Sequence, residues 1–145
     1  MYLVDTNVIS ASAPSRPASD LIAWMNQYSA SLYLSTVTVA EIEDGIAKAK
    51  REKATRKAAD LAAWLETLLH LYGDRILAFD LAAARIAGAL SDLARGRGAK
   101  QGFADIMIAA TARSYGLTIL TRNGRHFEPL GVPTVNPFDG LPSSR

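Results

Sequence analysis

Short apolar runs alternate along this chain with longer stretches in which apolar residues recur every three or four positions. Tyr2-Leu-Val-Asp5, Leu32-Tyr-Leu-Ser35, Ile76-Leu-Ala-Phe79 and Thr118-Ile-Leu-Thr121 read as strands buried on both faces, and Pro133 to Val135 predicts a fifth, shorter one. Between them the spacing predicts helices over Ala18 to Tyr28, Val37 to about Lys50, Thr55 to Leu71, Leu81 to about Ala94 and Phe103 to Tyr115. Strands alternating with crossover helices define an α/β protein, a three-layer α/β/α sandwich around a central, mostly parallel sheet. Residues 1–145 are expected to form a single domain. Its tail, from about residue 139 and most clearly over Pro142 to Arg145, is expected to fray.

Composition narrows the chemistry. With no cysteine there is no disulfide framework, zinc-thiolate site or thiol nucleophile, and a cytoplasmic location is the expectation. No apolar run is long enough to cross a bilayer, so no membrane partner is expected. The net charge of +2 is too small to diagnose a nucleic-acid binder, and any such reading rests on where the cations cluster.

One acid interrupts an otherwise apolar helix. In GFADIMIAAT, residues 102–111, Asp105 shares a helix face with Ile108, Ala109 and Ala112. An ionised carboxylate there needs compensation, either from the free N–H groups of a helix opened by Gly102 or from a bound metal ion. The metal reading requires further acids. Ligands in open parallel sheets bind at the carboxyl ends of the strands, where Asp5 closes the first strand, followed by Thr6 and Asn7. Alternatively, Asp5 opens the next helix through an Asx turn or N-cap. Asp80 reads as an N-cap. Thr38-x-x-Glu41 fits a capping box, although Glu41 also faces the sheet's end, whereas Glu43 and Asp44 read as solvated. Asp5, Glu41 and Asp105, from separate elements, can converge on one rim as hard oxygen donors, suited to Mg²⁺ or Mn²⁺ and to phosphodiester chemistry.

Together, MYLVDTNVIS, TVTVAEIEDGI and GFADIMIAATARSYGLTILTRNGRHFEPLGVPTVNPF resemble a PIN-domain nuclease, most closely the VapC and FitB toxin branch. The resemblance runs from Met1 to about Phe138. It implies the toxin of a type II toxin–antitoxin system: a divalent-metal-dependent endoribonuclease, usually dimeric, restrained by a small VapB- or FitA-like antitoxin. It also implies that Asp5, Glu41 and Asp105 are catalytic metal ligands and that RNA is hydrolysed in line by a metal-activated water. Thr6, Asn7, Thr121 and Asn123 would surround them. The pattern departs where Asn123 stands in place of a frequent fourth acid and His126 lies near another, which leads us to expect one well-bound ion.

Basic residues offer several RNA surfaces. Arg97, Lys100, Arg122 and His126 are candidates near the acids, and Lys48 to Lys57 form a denser run that reads equally well as a solvated turn. His70 reads as an ordinary helix residue. Ile22, Trp24, Met25 and Tyr28, with Ala62, Trp64, Leu65 and Leu68, could form core or a partner face. The alternative to an enzyme is a catalytically degraded PIN-like module that binds RNA or protein. An aspartyl-nucleophile phosphatase would want a second Asp at position 7, which is Asn.

Overall fold

A computed structural model describes residues 1–11 and 19–142. Ala18 and the end of the tail, residues 143–145, lie outside the described residues. The strands are β1 (Tyr2–Val4), β2 (Leu32–Ser35), β3 (Ile76–Leu77), β4 (Thr118–Leu120) and β5 (Thr134–Val135). The helices are α1 (Thr6–Ala11), α2 (Ser19–Gln27), α3 (Thr36–Arg51), α4 (Thr55–Tyr72), α5 (Leu81–Gly96), α6 (Phe103–Tyr115) and α7 (Gly124–Phe127), with single 3₁₀ turns before β2, before β3 and after α7. All five strands are parallel, in the order β3-β2-β1-β4-β5.

Strand alternation sets the layers. Leu3 and Ile119 pack on one face with Ala87 and Leu90 of α5, Ala109 of α6 and Phe127 of α7. Val4 and Leu120 point the other way, to Val8 of α1, Trp24 of α2, Ile42 of α3 and Leu65 of α4. Both faces are therefore covered, which explains the uninterrupted apolar runs. Burying a side chain such as Leu3 or Ile119 contributes ~1.5–3 kcal/mol.

The chain walks outward from β1 through β2 to β3, then crosses back to place β4 and β5 on the other side. This reversal opens a crevice between the carboxyl ends of β1 and β4. Their register matches Val4 with Leu120, and Asp5 N–H donates to Leu120 O at 2.9 Å. The next residues, Asp5 and Thr121, thus emerge side by side at the crevice.

Several boundaries differ from those predicted. Ladder pairing of β3 stops at Leu77, because Phe79 N–H turns to the Thr36 hydroxyl at 3.1 Å. The spacing predicted neither of the short helices α1 and α7, although a helix opening at Asp5 was the alternative reading of that residue. Asp80 caps α5 as expected, accepting from Ala83 N–H at 3.0 Å. The capping box is corrected: Ser35 is the N-cap of α3 and accepts from Val37 N–H, so Thr38 lies inside the first turn and Glu41 beyond it.

Candidate active site

Asp5 is buried, and both of its oxygens are engaged. Oδ1 accepts from Thr6 N–H at 2.8 Å, and Oδ2 accepts from the Thr121 hydroxyl at 2.8 Å, across the crevice between β1 and β4. Thr121 is held in turn by Asn123 N–H at 3.0 Å, while Asn7 Oδ1 accepts from Arg122 N–H at 3.2 Å. These bonds lock the two strand ends to one another. Asp5 also opens α1 through its backbone, since its carbonyl accepts from Val8 and Ile9 N–H.

Thr6 reaches toward α3. Its hydroxyl lies 2.6 Å from Glu41 Oε1 and 3.1 Å from the Thr38 hydroxyl, which is fully buried. Glu41 is an exposed residue, so the Thr6 bond fixes an otherwise free side chain. The third acid comes from α6: Gly102 is the N-cap and Asp105 lies in the first turn. Asp105 Oδ2 is 3.3 Å from His126 Nδ1 of α7.

Electrostatics tie the carboxylates together. Burial pushes Asp5 above the ordinary carboxylate range; the bonds from Thr121 and Thr6 oppose the shift, and the Asp105 charge adds to it. Asp105 is also raised, chiefly by burial, with His126 lowering it and Glu41 raising it. Among the described residues, no Lys or Arg lies within ion-pair distance of the three acids. Nor are any three His, Cys, Asp or Glu side chains gathered tightly enough to hold a metal as they stand. The donor chemistry nonetheless suits a hard divalent cation: three carboxylates from separate elements, flanked by hydroxyls, with Asp5 and Asp105 raised by burial and by neighbouring negative charge.

The remaining candidates divide. Arg97 is turned away, donating to Pro129 O at 2.8 Å, and Lys100 is simply exposed. The guanidinium of Arg122 lies over the Phe138 ring at 3.9 Å. Asn123 and His126 border a cleft of about 680 Å³ with Arg122, Arg125 and Asn136. Sequence reasoning read Thr38 only as a helix cap, and missed the His126–Asp105 contact and Arg125. Only Thr38 had a signal, lying one helical turn before Glu41 on the same face.

Compared with known protein families, residues 2–131 match the PIN domain. The chain belongs to the PIN-domain family. It is 36% identical over 140 residues to VapC ribonuclease Y4jK of Sinorhizobium fredii, covering 96% of this chain and 99% of the relative. To toxin FitB of Neisseria gonorrhoeae it is 33% identical over 142 residues, covering 95% and 99%. The crystal structure of FitAcB from Neisseria gonorrhoeae superposes with a TM-score of 0.77 at 33% identity, covering 95% of this chain and 99% of that one. Within the PIN-domain family this chain is of the VapC/FitB toxin type, and the parallel sheet flanked by helices is the architecture that the resemblance led us to expect.

Proposed function

We propose that this PIN-domain protein is a divalent-metal-dependent endoribonuclease, the toxin of a toxin–antitoxin pair, with Asp5, Glu41 and Asp105 as the ligands of Mg²⁺ or Mn²⁺. The observation that carries the proposal is three acids sharing one rim without a Lys or Arg counter-ion among the described residues, in a chain similar to a VapC ribonuclease. A divalent cation held there would polarise the phosphodiester and lower the pKa of an attacking water.

The chain's own residues prepare the site. Thr121 and the Thr6 amide hold the Asp5 carboxylate in one orientation, and the Thr6 hydroxyl aims Glu41 from the neighbouring helix. His126 Nδ1 faces Asp105 Oδ2 and supplies positive charge to that carboxylate when protonated. No cysteine competes as a nucleophile.

A restraining antitoxin needs a docking face. The apolar groove between α2 and α4, about 350 Å³ and lined by residues including Ile22, Met25, Trp64, Leu68 and Leu71, is the surface we assign to it. Self-association into a homodimer completes the reading.

The test compares wild type with Asp5→Ala and Glu41→Gln. Wild type is expected to arrest growth and to cut total RNA only with Mg²⁺ or Mn²⁺. Each variant should lose about 100-fold or more of that cleavage. Mn²⁺ should raise the melting temperature of wild type but much less that of the variants. Absence of both arrest and cleavage in wild type would leave a binding module as the better reading.

A further inference from the structure

The cleft beyond His126 is not accounted for by the three acids. Its lining carries two guanidinium groups, from Arg122 and Arg125, against the single carboxylate of Asp139. Both arginines are exposed, and among the described residues neither pairs with an acid. Arg122 is nevertheless not loose. The Phe138 ring lies against its guanidinium at 3.9 Å, its N–H is fixed by Asn7, and its carbonyl accepts from Asn136 Nδ2 at 3.4 Å. Asn136 Oδ1 in turn accepts from Phe138 N–H at 2.9 Å, so one wall of the cleft is held by its own hydrogen bonds.

The cleft and the acidic rim share a wall. His126 contacts Asp105 on one side and lines the cleft on the other, while Asn123 lines the cleft and donates its N–H to the Thr121 hydroxyl that binds Asp5. A chain of phosphates crossing the acids therefore meets the arginines next. Planar guanidinium forks suit phosphate oxygens, and a fork already stacked on an aromatic ring loses less freedom on binding.

We propose that this cleft is a phosphate subsite for the RNA backbone, in which Arg122 and Arg125 grip a phosphodiester adjacent to the one held at the carboxylates, with Phe138 positioning Arg122. The subsite rests on the ribonuclease reading and adds to it where the substrate strand runs. An acidic peptide of a protein partner would satisfy the same charges, but continuity with the acidic rim favours the polynucleotide.

Binding is measured without cleavage, using a fluorescent single-stranded RNA oligonucleotide, EDTA and an Asp5→Asn background, over a range of salt concentrations. Arg122→Gln and Arg125→Gln should each weaken RNA binding about tenfold. Each should also flatten the salt slope by about 0.7, the loss of one phosphate contact. Arg85→Gln, which removes the same charge from an exposed position on α5, should leave both quantities near their starting values. Arg122→Lys should recover only part of the affinity, since it keeps the charge and loses the fork. Unchanged affinity and slope in both glutamine variants, alongside RNA cleavage by wild type, would overturn the subsite while leaving the ribonuclease standing. Unchanged RNA binding with lost binding to a partner protein would also overturn it, in favour of an acidic peptide. If wild type neither binds nor cuts RNA, the underlying reading fails and the subsite with it.

Discussion

Ionised Asp5 is held in place by bonds to both oxygens and is still disfavoured by burial. Its folded pKa is raised above 3.8, so between 3.8 and the raised value the folded state binds the proton that the unfolded chain has lost. Stability from this group is thus full below pH 3.8 and falls as pH rises through the folded pKa. Asp105 acts in the same direction. In cation-free buffer at pH 7, Asp5→Asn should therefore melt higher than wild type, by about 2–4 °C per kcal/mol relieved. The gap should close on acidification, and thermal melts across pH check it. A variant that melts lower at pH 7 would show that the carboxylate is not the strained group. Much of this residue-scale picture was legible: Asp5 and Asp105 were readable because acids at strand ends and in apolar helices demand compensation. The neighbours of Glu41 were not. Thr38-x-x-Glu41 has the spacing of a cap, but β2 runs straight into α3, so Ser35 takes the capping position.

Among the helices, long ones announced themselves and short ones did not. The periodicity of α3 to α6 spans three or more turns, whereas α1 and α7 have six and four residues, too few to establish a helical repeat. Yet α1 carries Thr6 and α7 carries His126, so the elements least visible in sequence hold side chains that touch two of the acids. Helix α6 must also stop correctly, because only two residues, Gly116 and Leu117, separate its end from β4. Gly116 ends it in the left-handed region at φ 66°, with nothing within 4 Å of where a side chain would begin. Gly116→Ala therefore adds backbone strain without a clash and should cost about 1–2 kcal/mol in chemical denaturation. Because the damage is to the fold at the far end of α6 from Asp105, activity per folded molecule should be kept.

For the whole molecule, none of the three acids lines the groove between α2 and α4, so on the proposed assignment restraint and catalysis should be separable by mutation. Leu71 lines the groove and is 60% exposed, so Leu71→Asp should fold normally. It should retain RNA cleavage while escaping suppression by a co-expressed antitoxin, measured as growth arrest that the small protein no longer relieves. Arrest relieved as in wild type would move the docking surface elsewhere. The topology has one more outcome, in time rather than space. Asp5 bonds to a residue 116 positions later, and β1 lies at the centre of the sheet with β4 as a neighbour. During translation, β1 leaves the ribosome long before that neighbour exists. A nascent or prematurely terminated chain that ends before Thr121 cannot assemble the Asp5 pocket, so on the proposed function unfinished copies should not cut RNA.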